Sequence, residues 1–292
     1  DGSSTSEMTF FDVPSLSELQ RELLVERHLI SPALAEGRGP RGVLMASDES
    51  LSVMTNEEDH LRMQMVLSGF QSGEVWEGVE YLERSLSERL DYAFSDRWGY
   101  LTACPTNTGT GLRASILVHL PVLVLAQQME SVVRGVTQMG FTVRGLYGEG
   151  TEVSGNLFQV SNQLTLGCSE LKTIESLEKV AKQFLECEQN AREALVRDAR
   201  AQIEDKIWRA YSILSHARVL TSQEFMNFSS AVRFGIGLGV LPFKDVGVLN
   251  ELMVQTRPAH LQCRLGRRID PADRDQIRAE MVRNRMAGLG KV

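Results

Sequence analysis

A change of pattern at Gly167 divides this sequence into two unlike stretches. Beyond it apolar residues recur at helical spacing: Leu177, Val180 and Phe184, then Ile203, Ile207, Tyr211 and Leu214. That rhythm lines one face of a helix, so residues 173–213 predict one or two long helices. Thr221 and Glu224 form a capping box for a helix running through Val232, and Asp270 followed by Pro271 opens the last one. Between residues 40 and 170, short apolar runs alternate with helical stretches instead.

In that earlier stretch, residues 43–45, 51–55, 98–103, 116–120, 141–144 and 157–166 read as strands, and 63–67 alternates as one would. Residues 15–29, 76–94 and 120–139 carry helical periodicity, and Ser15 with Glu18 fits a capping box. Residues 35–42, rich in glycine, have linker composition. The net charge of −7 argues against a general nucleic-acid binder. No apolar run approaches the roughly 20 residues of a membrane span. Four scattered cysteines without a C-x-x-C pair argue against a disulfide framework or a cysteine metal site, and for a reducing cytoplasm.

The chemistry concentrates in three loops. Cys104-Pro-Thr-Asn-Thr-Gly-Thr-Gly-Leu-Arg-Ala-Ser115 lies between two strand-like runs and supplies glycines, small polar residues and Arg113. Glycines admit an anion close to backbone N–H groups, and arginine adds a planar fork of donors. Gly109 to Ala114 also matches the dinucleotide fingerprint G-x-G-x-x-A, with Glu130 about 20 residues on. That reading needs a helix from the second glycine, which Pro121 would stop within three turns. Asn56-Glu-Glu-Asp-His-Leu-Arg62 gathers carboxylates, a histidine and an arginine; Arg144-Gly-Leu-Tyr-Gly-Glu149 pairs an arginine with a glutamate. Arginines around one site suit a polyphosphate. Glutamates beside them suit a guanidinium acceptor, which carboxylates clamp bidentately and deprotonate. Neither a Walker loop nor the protein-kinase catalytic loop occurs, which excludes the two commonest ATP architectures. The three loops together suggest a phosphotransferase with a basic acceptor, beside the plainer readings of a glycine-rich hairpin and a solvated charged turn.

The residues 56–62, Cys104-Pro-Thr-Asn107, Arg113-Ala-Ser115 and Gly148-Glu-Gly-Thr-Glu152 resemble the signature segments of the phosphagen (guanidino) kinases. The resemblance is closer to the bacterial protein arginine kinases, the McsB family. It is carried by His28-Leu-Ile-Ser-Pro-Ala33, residues 144–149, Gly155-Asn-Leu-Phe-Gln159 and Arg274-Asp-Gln-Ile-Arg-Ala279, and extends over nearly the whole chain. It implies an α+β fold: an antiparallel sheet flanked by helices over 40–170, followed by an α-helical regulatory and dimerisation domain over 171–292. Residues 1–39 are then a remnant of a helical N-terminal region with its linker.

The resemblance further implies ATP with Mg2+. Nucleotide contacts would come from His28, Arg62, Arg113, Ala114, Ser115, Ile116, Leu117, Arg144, Gly145, Leu146, Tyr147, Gly148 and Glu149. Glu58 and Glu149 would clamp the guanidinium, Cys104 would lie beside it as an oxidation-sensitive position, and His60 would be structural. The family's S-S-R-x-R phosphate motif precedes the His28 helix, ahead of where this sequence opens. On the last helix Arg274, Asp275, Gln276, Ile277, Arg278 and Ala279 match an allosteric phosphoarginine pocket; Arg274 and Arg278 are four apart, as residues sharing a helix face are. The implied setting is a cytoplasmic homodimer acting on proteins with exposed arginines, with an activator protein (McsA), the Clp protease and a stress-gene repressor as partners. Two alternatives stand beside it: a kinase of free arginine or a related small guanidine, and a non-catalytic phosphoarginine-binding adaptor. Incubation with ATP and either free arginine or protein separates the first. Arginine-rich sequence upstream of Asp1 bears on the second.

Overall fold

Among the described residues the first regular element is β1 (Met8–Asp12), a strand that nothing in its short, weakly alternating sequence announces. A single turn, Val13–Ser15, follows, and Ser15 Oγ donates to the Asp12 carbonyl at 2.7 Å. Ser15 lies inside that turn, and the capping box expected from Ser15 and Glu18 is made by Ser17 and Gln20 instead, opening α1 (Glu18–Glu26). Both pairs fit the motif; the turn decides between them. His28 then takes a left-handed conformation with φ of 59°, and Ser31 caps the short α2 (Pro32–Glu36).

The computed structural model describes residues 7–145 and 154–289. It resolves into two units, Asp1–Ala114 with Leu164–Glu175, and Ser115–Gln163 with Ser176–Val292.

In the first unit β1, β2 (Gly42–Ala46), β3 (Leu51–Thr55) and β4 (Leu61–Met65) form an antiparallel sheet in sequence order. Its core joins Val13, Leu29, Ile30 and Leu34 to Val43, Met45 and Met54. After α3 (Ser72–Ser87) comes a small hairpin of β5 (Phe94–Ser95) and β6 (Gly99–Tyr100). The strand expected over 98–103 stops at Tyr100, because the Thr102 hydroxyl turns onto the Cys104 carbonyl at 2.7 Å and offers the chain a local bond in place of a ladder.

In the second unit β7 (Ser115–His119) is a strand, which removes the dinucleotide reading of the preceding glycines. The helical stretch after it breaks at Gln127, whose φ is 58°, into α4 (Pro121–Leu125) and α5 (Met129–Gln138). Then β8 (Phe141–Gly145) and β9 (Leu157–Asn162) complete an antiparallel sheet of order β7-β9-β8. Long α6 (Glu170–His216) has non-helical backbone at Ala199. It is followed by α7 (Ser222–Gly237), capped by Thr221 and Glu224 as expected, and by α8 (Gly247–Gln255), α9 (Pro258–Leu265) and α10 (Pro271–Leu289). Ile207, Leu214, Phe225, Leu249, Leu261, Val282 and Met286 meet in their common core. Glu188 of α6 is 3% exposed and accepts from the N–H groups of Val122 and Leu123, so it caps α4 from another helix. The architecture is therefore antiparallel sheets flanked by helices, followed by a helical region.

Candidate active site

The carboxylates of the first unit sit on the turn between β3 and β4. Asn56 adopts a φ of 56°, its N–H donates to the His60 carbonyl at 3.0 Å, and its side-chain amide donates to the Pro40 carbonyl. Asparagine tolerates that left-handed geometry better than most residues. Glu57 is turned inward: it accepts from Ser31 Oγ at 2.5 Å, from the Glu58 N–H at 2.9 Å and from Arg62 at 3.3 Å. Burial alone would raise the Glu57 carboxyl; those hydrogen bonds and the Arg62 charge outweigh it and hold the group below the ordinary glutamate value. With Glu57 engaged, Glu58 is the exposed carboxylate of the pair.

Asp59 then joins two loops. Its Oδ1 accepts the Ala103 N–H at 2.6 Å, which sets the turn holding Glu58 against the loop holding Cys104. The Cys104 thiol is half-buried, with the Thr106 hydroxyl 3.0 Å away. Thr165 closes the back of that loop, donating to the carbonyls of Thr106 and Thr108. Gly109 is required there: a Cβ on it would lie 2.1 Å from the Thr165 carbonyl oxygen. His28 is tied to the same sheet, since the Gln64 amide donates to its carbonyl and Ser52 Oγ donates to that of Leu29. Arg62 is two residues before Gln64 on β4, and its side chain remains 50% exposed. Arg113 is exposed and Ala114 half-buried at the end of this unit.

The second unit carries further residues that the sequence picks out. Leu117 of β7 faces Gln159 of β9, which faces Arg144 of β8, so the three form one row across the sheet. Gln159 donates to Ser115 Oγ at 3.1 Å along that face. Ile116, between them, points to the opposite face by strand alternation, and Gly145 ends β8. Leu146, Tyr147, Gly148 and Glu149 lie outside the described residues. Among the described residues no three His, Cys, Asp or Glu side chains gather to hold a metal.

The motif on α10 is placed differently. Arg278 is 2% exposed and donates to the carbonyls of Thr256 at 2.9 Å and Leu220 at 2.8 Å, and to Asp275. Thr256 caps the C-terminal end of α8, where carbonyls without intrahelical partners favour a cation. Ala279 is buried, Arg274, Asp275 and Ile277 half-buried, and Gln276 exposed. Sequence reasoning passed over Asp59, Ser31 and Gln159. Nothing in the pattern distinguishes Asp59 from its neighbours, because its partner is a backbone N–H 44 residues away.

A family model described as ATP:guanido phosphotransferase, C-terminal catalytic domain, matches residues 2–191. The crystal structure of a lombricine kinase has a TM-score of 0.59 and 27% identity, over 66% of this chain and 57% of that one, so the chain spans a little over half its length. Fold and matched residues thus define a guanidino phosphotransferase. A second model, the protein-arginine kinase McsB C-terminal domain, matches residues 200–291. A protein-arginine kinase of Halothermothrix orenii is 46% identical over 277 residues, 95% of this chain and 79% of that protein. One from Desulforamulus reducens is 48% identical over 274 residues, 94% and 77% of the two chains. The chain belongs to the protein-arginine kinase family, and as such is a kinase.

Proposed function

We propose that the chain phosphorylates the guanidinium of arginine side chains in proteins, with ATP as phosphoryl donor and Mg2+ accompanying it. The observation that carries this is the Asp59–Ala103 bond, which joins the Glu58 turn to the Cys104 loop. ATP supplies the phosphoryl group and the leaving ADP. Glu58 orients the acceptor guanidinium and takes its proton, with Glu149 as the second carboxylate. Taken unit by unit, exposed Arg62 and Arg113 of the first, and Ser115 and Arg144 of the second, each suit phosphate oxygens by charge or hydrogen-bonding capacity; Leu117 is assigned to the nucleotide with them. His28, Ala114, Ile116 and the 145–149 segment complete the nucleotide assignment. Mg2+ is assigned to the nucleotide phosphates.

The reading extends to a cytoplasmic homodimer that marks proteins for the Clp protease, with an activator protein and a stress-gene repressor as partners. Compatible with this, no helix among the described residues is long and apolar enough to cross a membrane. Regulation by phosphoarginine at Arg274–Ala279 belongs to the same proposal, with half-buried Arg274 as the cation offered to the phosphate and buried Arg278 holding the motif in place.

The test is transfer from ATP to an arginine-rich protein and to free arginine, read as acid-labile N-linked phosphate. Glu58→Gln should lower the protein rate by roughly two to four orders of magnitude, the scale of a positioned acid–base group. Transfer to free arginine alone would overturn the protein substrate, and a near wild-type Glu58→Gln would remove Glu58 from the chemistry.

A further inference from the structure

We propose that Ser230 is a positioning residue for nucleotide binding: its one hydroxyl holds β7 and the lead-in to β9 on α7, and thereby fixes the row Leu117, Gln159, Arg144. This rests on the assignment of that row to ATP.

Alternation places Ser115, Leu117 and His119 on the same face of β7. At Leu117 the face is open, with that side chain 45% exposed. Two residues on, about 7 Å along the strand, α7 covers it. His119 Nε2 lies 2.8 Å from Ser230 Oγ, and the Asn156 amide donates to the same oxygen at 2.8 Å. Burial, and then the charges of Arg233 and Arg192, keep His119 neutral, its pKa pushed down to about 3. In the neutral tautomer with its proton on Nδ1, Nε2 is an acceptor, and Ser230 then donates to His119 while accepting from Asn156. Ser230 itself is only 4% exposed, so these two side chains are its near neighbours rather than solvent.

The neighbouring residues follow the same helix. Ser154 Oγ donates to Gln223 at 3.4 Å, and a Cβ on Gly155 would lie 2.9 Å from the Met226 carbonyl oxygen. Gln223, Met226 and Ser230 are spaced three and four apart, one stripe of α7. Residues 154–156 are therefore laid along this stripe, with Ser230 as the member that also reaches β7. Removing its oxygen takes this partner from a part-buried imidazole nitrogen and a part-buried amide. Relief comes from a shift of the strand ends next to the nucleotide row.

The experiment measures the KM for ATP and for an arginine-rich protein, on the full chain, below the unfolding midpoint of every variant. Ser230→Ala should raise the ATP KM roughly 10-fold, within the range known for misplacement of about 1 Å. The protein KM should stay within about twofold, and Ser230→Thr, which keeps the hydroxyl, should restore the ATP value. Arg144→Ala should raise the ATP KM by itself, and adding Ser230→Ala to it should change little further, since the two act on one row. An unchanged ATP KM in Ser230→Ala, or a parallel rise in both KM values, overturns the proposal and leaves Ser230 a packing residue. A wild-type ATP KM in Arg144→Ala instead removes the nucleotide assignment beneath it. Should Ser230→Ala fail to fold, Asn156→Asp, which replaces the amide NH2 that donates to Ser230 with an acceptor oxygen at nearly constant shape, is read by the same outcomes.

Discussion

The turn at residues 56–62 and the corner around Arg278 each set an arginine against a carboxylate, and they do so in opposite ways. Arg62 keeps half its side chain in solvent and meets Glu57 at 3.3 Å, while Glu57 is held by Ser31 and the Glu58 N–H as well. The carboxylate is fixed and the arginine is loose. At the corner the arginine is fixed: Arg278 is buried, with two main-chain carbonyls and Asp275 around it. A buried cation serves the fold through every acceptor it satisfies, whereas an exposed one retains donors for a phosphate. The same residue type, in motifs of similar appearance, thus does two kinds of work.

The largest effect should come from the corner. Arg278→Ala leaves Asp275 and the carbonyls of Thr256 and Leu220 without their donor, and should cost about 3–5 kcal/mol of stability, the scale for breaking a buried pair. Urea unfolding measures it; a loss below about 0.5 kcal/mol would erase the contrast with Arg62.

A second effect sharpens the contrast through protons. Folded His119 stays neutral down to about pH 3, while the unfolded chain takes up that proton near 6.5. Below 6.5 the unfolded state binds more protons, so His119's contribution is complete above that value and is lost as pH falls towards 3. The slope is up to about 1.4 kcal/mol per pH unit. Stability curves of wild type and His119→Gln across this window should differ in slope; parallel curves would show that His119 titrates alike in both states.

The smallest change in stability belongs to the turn. Arg62→Ala should alter unfolding by no more than about 0.5 kcal/mol, since an exposed ion pair contributes little. Its ATP KM should nonetheless rise by roughly 10-fold, the loss of a charge-assisted hydrogen bond. A large stability loss with an unchanged ATP KM would make Arg62 a second Arg278.

The contrast also shows where sequence reading has purchase. Capping at Thr221–Glu224 and Asp270–Pro271 is legible because cap and helix lie within a few residues of each other. The strands β2 and β3 are legible from their apolar runs, and the Glu58, Cys104 and Arg113 segments from the residue types they assemble. Arg278 could be picked out, but not its burial, because its partners come from positions 58 and 22 residues away. Ser15 and Ser17 fit one motif equally well, and only the turn that includes Ser15 and ends before Ser17 separates them. Likewise β1 exists through its pairing with β2 rather than through its own pattern.

The break in α6 has a consequence for how this chain can change length. Ala199, with φ of −143° and ψ of 32°, falls between the two family matches, which end at 191 and resume at 200. Inserting one residue in an unbroken helix rotates everything after it by about 100°, turning Ile203, Ile207 and Leu214 away from their core. At a position already outside helical geometry, the added rotation can be absorbed by the backbone there. Ala199 is thus where α6 can gain or lose residues, or accept a fused module, without scrambling the phase of either half.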